Sequence, residues 1–261
     1  MITDFNVLIV VTMMYEESNF EITVDGKLTA YNGRFETVVI PENVKIIGEK
    51  AFFSNKKIRK VIIPEGVVEI GESAFESCHN LEIVMFSEGL ETIGKNAFND
   101  CKSLELIEIP DGVKAIGYGA FFQCISLKSA TMTDSVEIMG DYAFWYCKAM
   151  KDIRLSENIK RIGDDTFAYC YGIKEIHLPE KLVEIGVRAF MQCKSLKEIR
   201  LPENMKVMEH HAFEECGKLK KARLNEGLEV IGDMAFKKCH KLEPVKVPET
   251  VKTMGENVFN S

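Results

Sequence analysis

The chain has 261 residues, 46% of them hydrophobic, and carries a formal net charge of −7. This hydrophobic content is too high for a chain that stays disordered. The acidic balance argues against a general nucleic-acid binder, which needs a broad basic surface. No apolar run reaches the roughly 18 residues of a membrane-spanning helix. We therefore expect a folded chain with neither a nucleic-acid partner nor membrane insertion.

Residues 1–40 are predicted to form an N-terminal arm and a capping β-hairpin. The apolar stretch from Phe5 to Met14 has no basic segment before it and no small-residue cleavage site after it. It therefore predicts a strand or a docked arm rather than an intact signal peptide. Residues 21–31 surround Asp25 and Gly26, a pair typical of a hairpin turn. We expect this hairpin to cover the first coil of the segment that follows.

From residue 41 to residue 261 the chain repeats one 23-residue unit, P-E-G-V-x-x-I-G-x-x-A-F-x-x-C-x-x-L-x-x-I-x-I. A fixed period of roughly 20 to 50 residues predicts a solenoid, in which each unit packs only against its neighbours. Nine complete repeats span residues 41–247 and a partial tenth spans 248–261. The tenth stops before its cysteine position, which predicts truncation, fraying or end-to-end self-association there. The phenylalanine column contains Phe52, Phe75, Phe98, Phe121, Phe144, Phe167, Phe190, Phe213, Phe236 and Phe259.

One copy, residues 64–86, shows the elements expected in each coil. Its last residues alternate between apolar and polar, which predicts a strand in a half-buried sheet. A proline followed by an acidic residue and glycine predicts the next turn. Val67 and Ile70 predict a second short strand, and Gly71 permits a bend that a Cβ atom would resist. The apolar residues of Glu72 to Cys78 fall at i, i+1 and i+4, which predicts one helical turn.

All eight cysteines occupy one position of the repeat and recur only at 23 residues, without a paired zinc spacing. Stacked coils lie about 4.8 Å apart, but parallel side chains would not face one another as a disulfide requires. We interpret the column as a ladder of small buried hydrophobic side chains that needs no metal and no cofactor. A redox or metal-binding role is the alternative. The column contains Cys78, Cys101, Cys124, Cys147, Cys170, Cys193, Cys216 and Cys239.

This unit resembles the BspA-like, or Treponema-type, class of leucine-rich repeats, whose pattern is visible in residues 109–127 and 178–196. The resemblance covers residues 41–261. It implies a β-rich (α/β leucine-rich repeat) solenoid, a right-handed curved superhelix of ten coils with a parallel sheet, a second short strand and a helical turn per coil. Members of this family are mostly surface or secreted proteins of host-associated bacteria, and several are adhesins that bind host matrix proteins. The chain departs from the pattern at Asn55, Glu209, Ala130 and Ala222.

Because the framework positions repeat, we look for function in the variable positions of the outward strand face. The front of this face is apolar, and either the Phe5–Met14 arm or a partner is expected to cover it. The rear mixes acidic and basic side chains, which predicts either a solvated charge lattice or a docking face for an acidic or mixed-charge protein. The concave-face candidates are Ile62, Met85, Leu106, Arg154, His177, Arg200 and Arg223.

Aromatic residues concentrate at the predicted helical turns of three consecutive coils, where other copies carry mostly polar residues. The framework therefore does not require rings there. Aromatic side chains are enriched among interface hot spots, and their faces also suit sugar rings. Partial burial between coils is the alternative. The ligand-binding candidates are Tyr118, Phe122, Tyr142, Trp145, Tyr146, Tyr169 and Tyr171.

The sequence contains no recognisable catalytic constellation, and we predict that the chain is not an enzyme. His210 and His211 lack the i, i+4 pairing of a zinc-binding helix, so we assign them no metal. The predicted function is recognition or adhesion: a cell-surface or secreted solenoid that binds a protein of a host or a neighbouring cell. The alternatives are a carbohydrate-binding module acting through the ring cluster and an intracellular, cytoplasmic scaffold, which the missing signal peptide and reduced cysteines favour.

Overall fold

The computed structural model describes residues 17–260, so the Phe5–Met14 arm lies outside the described residues. The described part begins with a 3-10 helix, Glu17–Asn19. It continues into an antiparallel hairpin of β1 (Phe20–Ile22) and β2 (Lys27–Tyr31). Gly26 has a φ of +85° at the hairpin turn, a conformation that favours glycine. Strand β2 then pairs in parallel with the first short strand of the repeats, so the hairpin joins the solenoid through backbone hydrogen bonds.

The longer strands of the repeat stack in parallel, with residues 23 positions apart paired in register. Alternate side chains of each strand point into the core, as Ile107 and Ile109 do, while their neighbours point outward. The parallel sheet that the family resemblance implies is thus confirmed, divided into three parts. These are β3 (Thr37–Val39), β5 (Lys60–Ile62) and β7 (Ile83–Met85); β9 (Leu106–Ile109), β11 (Ser129–Met132) and β13 (Asp152–Arg154); and β16 (Glu198–Arg200) with β18 (Lys221–Arg223).

The second short strand of each coil is also confirmed, and these strands form a separate wall of the solenoid. Each contains two residues, the second of which is buried in all but the last. Seven strands including the hairpin form one sheet, and five form another. The short strands are β4 (Ile46–Ile47), β6 (Glu69–Ile70), β8 (Thr92–Ile93), β10 (Ala115–Ile116), β12 (Ile138–Met139), β14 (Arg161–Ile162), β15 (Glu184–Ile185), β17 (Val207–Met208), β19 (Val230–Ile231) and β20 (Thr253–Met254).

The predicted helical turn is wrong, because the segment from Glu72 to Cys78 and its equivalents form non-helical turns. Two residues of the segment, Ser73 and Ser77, have left-handed backbones with φ of 54° and 60°. Their amides, and that of Phe75, donate to carbonyls of the next coil at 2.8 Å, whereas the amides between them donate within their own coil. A third wall of inter-coil hydrogen bonds replaces the helix and offsets the cost of the left-handed residues.

The phenylalanine column forms one continuous stack through the core. Adjacent rings are nearly parallel, with centroids 4.7 to 5.6 Å apart from Phe52 to Phe259. The hairpin extends this stack, since Tyr31 lies 5.1 Å from Phe52 and Phe20 lies 5.0 Å from Tyr31. Offset stacking of this kind is favourable beyond the area that each ring buries.

The eight cysteines are buried and free, as the ladder interpretation predicts. They are not merely apolar, because each thiol donates a hydrogen bond to a phenylalanine carbonyl of the preceding coil, as Cys124 does to Phe98 at 3.2 Å. The first repeat has Asn55 instead, and the residue 26 positions before it is a threonine rather than a phenylalanine. The Oδ1 atom of Asn55 accepts the amides of Lys57 and Ile58 within its own coil.

The other departures from the repeat leave the coil register intact. The amide of Glu209 donates to the Ile185 carbonyl at 2.9 Å, as glycines at that position do in other coils. Ala130 is fully buried in its strand and pairs with Ile107, whereas Ala222 is half-buried. By contrast, a Cβ atom on Gly140 would lie 2.5 Å from the backbone nitrogen of Tyr118, so the glycine permits close approach of adjacent coils.

Candidate recognition surfaces

The structure brings all seven predicted aromatic residues into one network on the turn wall of the fourth, fifth and sixth coils. Tyr118 contacts Tyr142, with ring centroids 5.2 Å apart, and Phe122 joins Tyr142 to the rest of the network. Trp145 lies nearly parallel to Phe122 at 4.5 Å. The rings of Tyr146, Tyr169 and Tyr171 complete the network through contacts of 5.2 to 6.2 Å. We call these seven residues the ring cluster.

The backbone of the turn wall places these rings at the surface. Tyr142, Tyr146 and Tyr169 are left-handed residues, with φ of 58°, 59° and 63°. Tyr118 is 45% exposed, and the other six are half-buried. The ring cluster therefore packs between adjacent coils and also presents part of each ring to solvent. Both interpretations of the sequence pattern, inter-coil packing and an exposed surface, apply to it.

An ion pair between the half-buried Arg188 and the buried Asp165 supports one side of the ring cluster. Arg188 donates to both carboxylate oxygens of Asp165, the closest pair of atoms being 2.6 Å apart. The Asp165 side chain is 4% exposed. Tyr142 also hydrogen-bonds to Asp165 and Arg188, and its pKa is raised by burial and by the Asp165 carboxylate. This pair occupies the same repeat position in consecutive coils and holds the Tyr142 hydroxyl in place.

Two lysines border the other side of the ring cluster. The Lys148 ammonium lies 5.7 Å from the centroid of the Tyr146 ring, and that of Lys194 lies 5.0 Å from the centroid of the Tyr171 ring. Both lysines are exposed. Cations at this distance from a ring face are attracted by its negative quadrupole. The sequence analysis did not identify these lysines or the Asp165–Arg188 pair. Their positions in the repeat, compared with those of the rings, could have indicated that they lie next to the ring cluster.

The front of the sheet face is apolar and exposed, as the strand alternation predicts. Ile83, Met85 and Leu106 are 48%, 48% and 47% exposed. Ile62 is half-buried on the same face. Ile83 and Leu106 line a shallow groove with Glu82 and serines of the neighbouring turns.

The rear of the sheet face carries Arg154, His177, Arg200 and Arg223 at one repeat position, and all four are exposed. His177 lies 3.6 Å from a carboxylate oxygen of Glu157. A shallow groove follows this column, since adjoining depressions share lining residues from coil to coil. The face is thus a surface with mixed charges, and the sequence predicts that composition.

The two neighbouring histidines turn toward different carboxylates. His210 lies 3.2 Å from Asp233 and 3.8 Å from Glu209, whereas His211 pairs with Glu214 at 2.7 Å. Between residues 17 and 260, no three His, Cys, Asp or Glu side chains are grouped as a metal site requires. The same part of the chain has no helix of the length and apolar character needed to cross a bilayer.

Comparisons with known proteins agree with this architecture. A family model described as "BspA type Leucine rich repeat region (6 copies)" matches residues 27–151 and 137–261. A leucine-rich repeat protein of T. pallidum is 31% identical, with a TM-score of 0.66 over 70% of this chain and 90% of that one. A Bacteroides ovatus leucine-rich repeat protein is 21% identical, with a TM-score of 0.54 over 92% and 91% of the two chains.

The pneumococcal vaccine antigen PcpA is 18% identical and has a TM-score of 0.54 over 92% of this chain and 77% of its own. These two more distant likenesses concern the fold alone. A search of curated proteins gives no match. The family model spans well over half of the residues, and its repeats coincide with the stacked coils. The chain belongs to the BspA-type leucine-rich repeat family.

Proposed function

We propose that this chain is a non-enzymatic recognition solenoid that binds an extracellular protein through the ring cluster. The observation that carries the proposal is the concentration of seven connected, partly exposed rings in three coils of a turn wall that is mostly polar elsewhere. Aromatic side chains held rigidly by their neighbours lose little entropy on binding and dominate many protein interfaces. A solenoid supplies the rigid support, because each coil is fixed by three walls of hydrogen bonds.

Ring geometry favours a protein over a sugar as the ligand. Trp145 is nearly parallel to Phe122 and inclined by 27° to Tyr146, with centroids 4.5 and 5.2 Å away. Ring faces used in this way are less available to stack on a sugar ring. The phenolic hydroxyls and ring edges remain for a protein surface, together with the ammonium groups of Lys148 and Lys194. Carbohydrate binding is accordingly the second candidate.

The proposal places the chain at the cell surface or outside the cell, where a matrix protein or a protein of a neighbouring cell is the partner. Family resemblance supports this location, and the intracellular scaffold is its alternative. Protease treatment of intact cells that produce the protein tests it. Loss of the solenoid under conditions that spare a cytoplasmic marker is the expected result, and full protection would support the scaffold.

We expect Trp145→Ala to weaken binding to a matrix protein at least tenfold, since truncated aromatic hot spots cost about 2 kcal/mol or more. Binding of the purified chain to immobilised fibronectin, fibrinogen and collagen, measured by surface plasmon resonance, supplies the reference. Phe53→Ala is the matched control. Phe53 holds the same repeat position as Trp145 in the first coil and is 46% exposed, outside the ring cluster. This control should retain the original affinity.

Circular dichroism must show that both variants remain folded. Equal losses in Trp145→Ala and Phe53→Ala, or saturable binding to none of the three proteins, would contradict the proposal. A glycan array distinguishes carbohydrate binding from protein binding. Strong sugar binding that Trp145→Ala abolishes would show that the ligand is a carbohydrate rather than a protein.

A further inference from the structure

The rear sheet face contains a ladder of basic side chains that is separate from the ring cluster. Arg154, His177, Arg200 and Arg223 come from four consecutive coils, and Arg200 pairs in register with Arg223. Paired strands lie about 4.8 Å apart, which sets the spacing of Arg200 and Arg223. His177 lies between β13 and β16 in a segment without a strand. We call the four side chains the basic ladder.

The arginines of the basic ladder have no side-chain partner, unlike three other arginines of this chain. In the part that the structure describes, the guanidinium groups of Arg154, Arg200 and Arg223 have neither a hydrogen bond nor an ion pair. Other arginines bind carboxylates of neighbouring coils: Arg59 binds Glu82, Arg161 binds Asp141, Asp164 and Glu184, and Arg188 binds Asp165. Neighbouring coils can thus place a carboxylate next to an arginine, but no described carboxylate forms an ion pair with Arg154, Arg200 or Arg223.

Like charges directly opposite each other on neighbouring strands destabilise a sheet. Arg200 and Arg223 are such a pair, and the nearby acid Glu198 contacts Lys221 instead, at 3.6 Å. The cationic ends of Arg200 and Arg223 remain free to bind an anion that bridges the two coils. A guanidinium presents several N–H donors in a fixed plane that matches a sulfate or carboxylate group.

The groove beside this pair also offers a polar group without a partner. Arg200, Arg223 and Asn225 line the same depression. Asn225 is 9% exposed, and its amide nitrogen donates to the carbonyls of Glu203 and Met205. These two bonds fix the amide orientation and leave Oδ1 as a buried acceptor without a partner. A buried acceptor of this kind is satisfied by a hydroxyl donor or by a bridging water.

We infer that the basic ladder binds a linear polyanionic polysaccharide, with sulfate or carboxylate groups on Arg200 and Arg223 and a sugar hydroxyl or its water directed to Asn225. Such a polymer carries anions and hydroxyl donors together. An extended acidic peptide fits less well, because its acidic side chains supply carboxylates but no hydroxyl donor for Asn225.

The net charge of −7 limits this binding to the neighbourhood of the ladder. Asp152 and Glu175 lie near Arg154 and His177, and Glu203 and Glu226 line the depression beside Arg200 and Arg223, where Glu226 is paired with Lys246 at 3.2 Å. Arg200 and Arg223 are the members of the ladder that face each other on paired strands. At 0.1 M salt, charges more than about 10 Å away are largely screened. The affinity is therefore expected to fall steeply with salt and to depend chiefly on the Arg200–Arg223 pair.

The test uses size-fractionated heparin as the probe and the full chain as the protein, with titrations at 50 and 150 mM salt. Arg200→Gln/Arg223→Gln should weaken heparin binding at least tenfold at 50 mM salt and make its salt dependence shallower. Lys114→Gln/Lys160→Gln removes the same charge from exposed positions next to the short strands, where neither lysine has an ion pair. This control should bind heparin as the original chain does.

Three outcomes of the heparin titrations overturn the inference. They are the absence of heparin binding at 50 mM salt, unchanged binding in the arginine variant, and equal losses in the arginine variant and the lysine control. Poly-glutamate of matched charge distinguishes the acidic-peptide alternative, which tighter binding than heparin would establish in place of the polysaccharide. Trp145→Ala should leave heparin binding unchanged, so this site and the proposed protein interface can fail independently.

Discussion

Raising the pH from 9 to 10 should lower the free energy of unfolding by about 7 kcal/mol through the titration of seven buried thiols. Burial raises the pKa of Cys78 from an ordinary value of 9.0 to about 12. The same cause raises the pKa of six further cysteines. The seven thiols concerned are Cys78, Cys101, Cys124, Cys147, Cys170, Cys193 and Cys216.

The direction of this effect follows from where the protons are bound. Below pH 9 the thiols are protonated in both states, so their contribution to stability is fully present. Above pH 9 the unfolded chain releases its thiol protons while the folded chain keeps them, and the free energy of unfolding falls. The loss continues until the pH reaches the raised pKa of the folded state. Between pH 9 and 10 each thiol accounts for about 1 kcal/mol.

Urea unfolding at pH 8, 9 and 10, under a reductant and followed by circular dichroism, measures this dependence. Tyrosines and lysines also titrate in this range, so Cys124→Ala supplies the control. It should reduce the pH dependence between 9 and 10 by about 1 kcal/mol, even though it lowers stability at pH 8 by leaving a cavity. An identical pH dependence in this variant would show that the buried thiols are not the cause.

Much of the fold is predictable from the sequence because stacking requires the same positions to be buried in every coil. Phe144 and Cys147 are buried in their coil for the same reason as Phe98 and Cys101 in theirs, and the 23-residue period exposes that reason directly. Alternation around Ile107 likewise identifies the inward positions of a strand. The 23-residue period and the alternation of apolar and polar residues are sufficient to predict these features, because both patterns indicate which side chains are buried.

The turn wall could not be predicted in the same way. An apolar pattern at i, i+1 and i+4 fits one turn of helix and also fits the observed turns, because both bury the same side chains. Left-handed positions carry ordinary residues such as Tyr146, Gln192 and Lys238, so glycine does not mark them. The hydrogen bonds that stabilise these left-handed residues are made to the next coil. Local conformational propensity does not predict such bonds. The hydrogen bonds donated by the thiols could not be predicted for the same reason, although Asn55 in the first coil indicates that a polar group is accommodated at this position.

For the candidate surfaces, the sequence identifies the variable positions but not their pairing. Seven rings in three coils are visible as a departure from the repeat, and their contacts follow once the coils are stacked. By contrast, Arg188 and Arg200 are two arginines of the same coil, yet only Arg188 has a carboxylate partner. That difference depends on which side chains meet across coils, and it required the structure.

Replacing Phe144 by alanine should lower the free energy of unfolding by about 3–5 kcal/mol. Phe144 is fully buried and lies between two stacked rings, at 5.2 Å from Phe121 and 5.6 Å from Phe167. Its removal leaves a cavity that interrupts the phenylalanine stack at mid-length. Because coils interact only with their neighbours, such a break also weakens the coupling between the two halves of the solenoid.

Urea unfolding followed by two signals measures both consequences. Circular dichroism reports all coils, whereas the fluorescence of Trp145, the single tryptophan, reports the middle of the chain. The transitions should coincide for the original chain and separate in Phe144→Ala, since loss of coincidence reveals unfolding in parts. Phe259→Ala is the matched control: that ring is 36% exposed and stacks on Phe236 alone, so its loss should cost less and keep the transitions together. Equal costs for the two variants would mean that the continuous stack does not couple the coils.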